Sequence, residues 1–352
     1  ILQSMDSCRP FFFFSNPQNH HTIMKKKTKL IYGAVGAILL ISIGLDVSSE
    51  YMLDYSLQND PEHASTYHGG MQHFKDTYPS LRTWIDSLQQ CGALRDTFIV
   101  IPKAQNTELS ERQHAIYAKA NNANGRTALL IHGYGDNSIG MLHIAYIYNK
   151  VMGYNIILPD LHGHGLSDGT DIQMGWYDRL DILQWIKVAH QMFKPEASTA
   201  DVQMVVHGIS MGAATTMCVA GEPTPDYVRC FVEDCGYTSA WDEFKHELKK
   251  RFYLPAFPLM YTTSALCRYT YGWTFKEASP LNQVAKCTKP MLFIHGDADT
   301  FVPTAMVYPL YEAKPQPKAL WIAKGSAHAT SYKDHPAEYT QQVENFVSKY
   351  IH

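Results

Sequence analysis

The 352-residue chain sets 30 Lys and Arg against 33 Asp and Glu, a net charge of −3, and is 45% apolar and 12% aromatic. This composition fits a globular protein with a large core, as one large α/β domain or two small ones. Near-neutral charge, with no basic run beyond the N-terminus, excludes a nucleic-acid partner.

Phe11–Phe14 precedes a polar patch ending at Met24, and residues 1–23 are read as lying upstream of the true start. Lys25, Lys26, Lys27 and Lys29 then form a positive stretch ahead of an apolar or small run from Leu30 to Leu45, broken by Asp46. That run falls short of the roughly 20 residues needed to cross about 30 Å of hydrocarbon and suits the core of a signal peptide. Val47-Ser48-Ser49 offers small residues for cleavage, while Tyr51–Leu57 continues amphipathically and leaves an uncleaved anchor open. The lysines stay cytoplasmic under the positive-inside rule. The rest of the chain is therefore expected outside the cytoplasm, secreted, periplasmic or held at the membrane by this segment.

Next comes a helical lead-in, residues 50–93, in which Phe74, Leu81, Trp84, Ile85 and Leu88 repeat at helical spacing before Gly92. Thr97–Ile101 and His114–Lys119 read as strands of an antiparallel start to a sheet. Strands at Thr127–His132, Tyr154–Pro159, Val202–His207 and Val228–Cys235 then alternate with helices at Met141–Met152, Asp178–Phe193 and Met211–Ala220. Such alternation predicts a mostly parallel sheet covered on both faces. From about 238 to 289 the strand signal stops and aromatics crowd in, among them Trp241, Phe244, Phe257 and Tyr261. This predicts a helical cap inserted into one catalytic domain spanning 94–352. Strands at Pro290–His295 and Ala319–Ala323 and helices at Pro303–Tyr311 and Pro336–Tyr350 close the chain.

The chemistry gathers at Gly208-Ile209-Ser210-Met211-Gly212, a G-x-S-x-G where a buried strand turns into a helix. Glycines two residues either side of the serine leave no Cβ where strand and helix nearly collide. Ser210 Oγ then projects from the turn, and the Met211 N–H points into the same space from a helix N-terminus. A serine needs a base, an orienting acid and an anion hole. Asp299, in His295-Gly-Asp-Ala-Asp299-Thr-Phe-Val-Pro303, and His328, in Lys324-Gly-Ser-Ala-His328, each follow a predicted strand. The Tyr134 N–H, in His132-Gly133-Tyr134-Gly135, is the expected second oxyanion donor beside Met211. Asp297 is the rival acid, read as a loop hydrogen-bonding residue, and His335 the alternative base, read as a helix start.

Trp241 and Phe257 are expected to line the substrate cleft. Asp160-Leu-His162-Gly-His164 has the look of a metal motif but reads as a tight turn after a strand, so neither metal nor cofactor is expected. Cys230 and Cys235, about 16 Å apart on one strand, cannot bond to each other. Export would permit a Cys267–Cys287 disulfide.

With Ser210, Asp299, His328, the His132-Gly-Tyr134 loop and the Gly163-His164-Gly165-Leu-Ser167 turn together, the chain resembles the α/β-hydrolase superfamily. Ile172–Trp176, His207–Gly212, Glu233–Thr238 and His295–Pro303 are similar to bacterial exported or membrane-associated hydrolases of the serine aminopeptidase-like and monoglyceride-lipase-like group. The resemblance runs from about Leu94 to the C-terminus and implies an eight-stranded α/β-hydrolase fold and a serine acyl-enzyme mechanism. A carboxylesterase or lipase acting on short or medium acyl esters is the first reading. A serine exopeptidase is the second, with Asp242, Glu243 and Glu247 as amine anchors although they read as one exposed helix face. The Lys245–Arg251 cations likewise read as a solvated face.

Overall fold

The computed structural model describes residues 17–59, 63–103, 106–195 and 201–352. The reading of the first residues, with Phe11–Phe14 and Cys8, therefore falls mostly outside the described residues.

The N-terminal apolar run is part of one long helix, α1 (Pro17–Leu57), followed by α2 (His63–Thr77) and α3 (Arg82–Gln90). Strands β1 (Arg95–Lys103) and β2 (Asn106–Ala118) form a hairpin longer than the sequence predicted. Then come β3 (Arg126–Ile131), α4 (Leu142–Tyr146), β4 (Asn155–Pro159) and α5 (Asp178–Phe193). β5 (Gln203–Ile209), α6 (Met211–Ala220) and β6 (Val228–Asp234) carry the serine turn and the next strand. Three helices follow before the sheet resumes: α7 (Ala240–Phe252), α8 (Leu259–Tyr271) and α9 (Pro280–Val284). The chain ends with β7 (Met291–Gly296), α10 (Val307–Ala313), β8 (Lys318–Ala323), α11 (Ser331–Asp334) and α12 (Pro336–Val347).

The eight strands lie in the order β1-β2-β4-β3-β5-β6-β7-β8, and β2 alone runs against the others. β5 sits inside the sheet between β3 and β6, so its C-terminal end opens between their loops. Its residues from Met204 to Ile209 are buried, the pattern of a strand covered on both faces. One apolar cluster, including Trp185, Met217, Phe231 and Trp273, packs α5, α6 and the 240–284 helices on one face. A second, including Ile85, Tyr148, Val205 and Tyr339, packs α3, α4 and α12 on the other. The helix expected over Met141–Met152 is α4 flanked by a 3₁₀ turn (Ser138–Met141) and a π turn (Ile147–Val151). Among the described residues the cysteines are free thiols, Cys267 and Cys287 included.

Candidate active site

Ser210 stands between β5 and α6 with φ 58° and ψ −117°, a strained left-handed conformation for a residue with a side chain. The turn is held open by crowding. A Cβ on Gly208 would lie 2.0 Å from the Gly212 carbonyl oxygen, and one on Gly212 would lie 2.0 Å from that of Ile131. Only glycine fits either place. The Ser210 N–H donates to the Asp234 carbonyl at 2.8 Å, which ties the turn to the end of β6.

Ser210 Oγ lies 2.8 Å from His328 Nε2, and His328 Nδ1 lies 2.7 Å from Asp299 Oδ2. Asp299 hangs from the loop after β7 and His328 from the loop after β8, so three strand ends converge on one point. The second Asp299 oxygen accepts the N–H groups of Phe301 and Val302 at 2.9 and 3.0 Å. Burial opposes ionisation of Asp299, but hydrogen bonds from His295 and His328 outweigh it and hold the carboxyl at about 2. Asp297 instead accepts the Gly325 N–H at 2.5 Å and joins the β7 and β8 loops. His335 faces the Lys324 carbonyl at 2.8 Å. Neither Cys235 nor His295 was given a place at the site by the sequence reading. The ligand-capable atoms of Cys235, Asp299 and His328 lie within 4.8 Å of one another. Both imidazole nitrogens of His328 are engaged with Ser210 and Asp299, and burial pushes the Cys235 thiol well above its ordinary range, so Cys235 is a buried, protonated neighbour of these contacts.

The loop after β3 approaches from the other side. A Cβ on Gly133 would sit 3.9 Å from Ser210 Oγ. Two histidines shape the loop: His132 Nδ1 meets the Gly133 carbonyl at 2.8 Å, and His164 Nε2 accepts the Gly135 N–H at 3.2 Å. The Tyr134 residue borders the same cavity as Ser210 and Met211. Met211 opens α6, so its N–H is a first-turn donor without an intrahelical partner. His162 is gripped by Glu111 at 2.8 Å and Asp171 at 3.1 Å. Burial disfavours its charge, yet the two carboxylates outweigh that and raise it to about 10. The D-x-H-x-H turn is thus an ion cluster that pins a loop.

The cavity over Ser210 is about 320 Å³, with a largely apolar lining that includes Phe244, Leu248, Met260, Phe275 and Phe301. The structure does not bring Trp241 or Phe257 into it. Trp241, in the first turn of α7, packs edge-on against Tyr261 with ring centroids 4.9 Å apart, and Phe257 is 72% exposed before α8. Glu243, expected on an exposed face, is only 4% exposed and lines the cavity with Glu247, because α7 lies across the cavity rather than out in solvent. Neither Glu243 carboxyl oxygen has a hydrogen-bond partner among the described residues. Burial, then the Glu247 charge, pushes Glu243 up to about 8. Arg251 is paired with Glu247 and donates to the Tyr55 hydroxyl at 3.0 Å, and Lys250 donates to the Thr300 carbonyl at 2.7 Å. Met52, Tyr55 and Ser56 of α1 complete the wall, a contribution whose only sequence signal was the amphipathic spacing after Ser49.

The chain is similar to the uncharacterized protein YqkD of Bacillus subtilis (strain 168), 27% identical over 262 residues covering 74% of this chain and 82% of that one. It is 25% identical over 237 residues to the lysophosphatidylserine lipase ABHD12 of Danio rerio, across 62% of this chain and 55% of that one. The Pyrococcus furiosus esterase Pf2001 shares the fold, with a TM-score of 0.56 and 21% identity, covering 74% of this chain and 94% of that one. Residues 143–352, more than half of the chain, match the prolyl oligopeptidase family. The protein is a serine hydrolase of the α/β-hydrolase fold and belongs to that family.

Proposed function

We propose that the protein hydrolyses carboxylic esters through Ser210, His328 and Asp299. The observation that carries this reading is the relay of 2.8 and 2.7 Å contacts at the floor of an apolar cavity. Ser210 Oγ attacks the acyl carbonyl while His328 Nε2 takes its proton, and Asp299 holds the imidazole in the tautomer that can do so. The tetrahedral oxyanion accepts hydrogen bonds from the Tyr134 and Met211 N–H groups. His328 returns the proton to the departing alcohol, and water then attacks the acyl-enzyme by the same route. Apolar walls of Phe244, Phe275 and Met260 favour a hydrocarbon acyl group. The lipase and esterase among the similar proteins support the same class. We place the catalytic domain outside the cytoplasm on the charge pattern of the N-terminal segment.

Ser210→Ala is expected to lower kcat on a nitrophenyl ester by several orders of magnitude without loss of fold. Near-wild-type turnover would remove the assignment.

One observation favours a second reading, an exopeptidase. The Glu243 carboxyl, without a hydrogen-bond partner among the described residues and set in the cavity beside Glu247, offers a place for a substrate amine, and the family's name is that of a peptidase. Aminoacyl-naphthylamides and acyl esters offered side by side separate the two: preference for the amides would put the peptidase first.

A further inference from the structure

The wall that α1 contributes belongs to a helix with two different halves. From Leu30 to Val47 its large apolar side chains stand in the open, with Leu30, Ile38, Leu40 and Ile43 each more than half exposed. None of the most apolar window is buried against the domain. In water that much apolar surface is unfavourable. The sixteen uncharged residues Leu30–Leu45 at about 1.5 Å each reach roughly 24 Å. With Lys29 and Asp46 reaching to the headgroups and slight local thinning of the bilayer, they span a hydrocarbon layer of about 30 Å. Tyr32 and Tyr51 stand near the two ends, where amphipathic rings settle in a bilayer.

From Ser49 onward the same helix is built into the domain. Ser49 Oγ donates to Thr262 Oγ1 at 2.7 Å, and Leu53 and Leu57 are buried. Tyr55 meets Phe252 edge-on at 5.7 Å, and the Tyr134 hydroxyl donates to the Ser56 carbonyl at 3.1 Å. Leu57 and Asn59 bond to the backbone of Ile172 and Thr170 at 2.7 and 3.1 Å. No proline or glycine interrupts Asp46–Leu57, so the exposed half and the built-in half are one rod. Cutting at Val47–Ser49 would sever it at its first tie to the domain and leave the pocket wall as a frayed first turn with unpaired N–H groups.

A second exposed surface lies beside the exit of this rod. Thr262, which receives Ser49, is in the first turn of α8, so the loop leading into α8 lies at the level where α1 leaves the domain. That loop carries Tyr253, 89% exposed, with Leu254, Phe257 and then Tyr261 also exposed. Exposed Lys245, Lys249 and Lys250 stand on the helix before it. Aromatics rimmed by lysines at the foot of an apolar helix match a headgroup layer.

We propose that α1 is a retained membrane anchor whose last two turns are a wall of the acyl pocket, and that the Tyr253–Tyr261 face rests on the bilayer. The pocket then receives single-chain acyl esters, such as lysophospholipids, from the membrane itself. A cavity of about 320 Å³ is at the small end of ligand sites, roughly 300–1,000 Å³, and suits one chain. This rests on the esterase reading above.

The test uses the full chain, expressed in membranes and reconstituted into phosphatidylcholine–phosphatidylglycerol vesicles carrying lysophosphatidylcholine. Intact mass is expected to include the Leu30–Leu45 segment; a mature chain that begins between Ser48 and Tyr51 and keeps full vesicle activity overturns retention. The double variant Tyr253→Asn, Leu254→Ser removes the face where asparagine tolerates the left-handed backbone of position 253. It is expected to lose about tenfold in hydrolysis of the vesicle-borne lipid, with hydrolysis of soluble nitrophenyl butyrate unchanged. Equal rates on both substrates overturn the membrane face. Met52→Trp, which narrows the wall, is expected to shift the preferred acyl chain shorter; an unchanged chain-length profile overturns the wall. Wild-type protein inactive on nitrophenyl butyrate sinks the esterase reading beneath all of this, a result distinct from the others.

Discussion

Ser210 holds a backbone conformation that few side-chain-bearing residues adopt, and its surroundings enforce it. Gly212→Ala would drive a Cβ to within 2.0 Å of the Ile131 carbonyl, which is backbone and cannot step aside. We expect a loss of about 3 kcal/mol or more, read as a lowered urea midpoint, with hydrolase activity lost in parallel. The carboxyl of Asp299 has a folded value, about 2, below its ordinary 3.8. Its ionised form therefore stabilises the fold above the unfolded carboxylate range, and that contribution is lost as pH falls through about 2. Asp299→Asn removes it at neutral pH and holds His328 in the wrong tautomer. The variant is expected to lose roughly 10⁴ in kcat, and its Tm deficit should narrow between about pH 5 and about 2. A Tm deficit independent of pH would count against this. Ser210, Asp299 and His328 were legible in the sequence because each stands at a strand end with a short distinctive loop. The closeness of Cys235 and His295 to them was not, because His295 heads the Asp299 motif and Cys235 ends a predicted strand without either spacing showing which side chains they would meet.

Elements show where periodicity speaks and where it misleads. The bounds of α5 and α6 follow directly from their spacing, and β5 ends only two residues past its predicted limit. α7 is the counter-case. Glu243 and Glu247, set among Lys245, Lys249 and Lys250, read as a solvated face, yet that face turns over the cavity because α7 lies between β6 and β7 and crosses the sheet's open end. Local spacing gives the sides of a helix but not which one meets the domain. β6 carries another buried acid. Burial, against the pull of His295, pushes Glu233 up to about 8 from an ordinary 4.5. A raised acid favours the folded state while protonated, so its support is full below the unfolded value and declines as pH climbs through about 8. Glu233→Gln keeps the acceptor for the Gly236 N–H without that decline. Its Tm advantage over wild type should grow from about pH 5 to about pH 9 in a thermal-melt series, and a flat difference would contradict the assignment.

Across the whole molecule, the mostly parallel sheet and the chain order of its strands and helices could be read from strand–helix alternation, whereas the order of the strands across the sheet could not. Nor could the role of the N-terminal segment. The amphipathic spacing after Ser49 signals that the helix runs on toward Leu57, but nothing local announces that its end closes a pocket beside Ser210. That contact joins residues more than a hundred positions apart, and only the assembled fold reveals it.

The placement of β7 and β8 at one side of the sheet has a consequence for synthesis. Ser210 and its glycines leave the ribosome well before Asp299 and His328, which hang from loops that follow these final strands. A nascent or prematurely ended chain can thus build the bend that presents the hydroxyl while having nothing to remove its proton. By our assignment, such a polypeptide stays chemically silent until translation has supplied the last edge of the sheet.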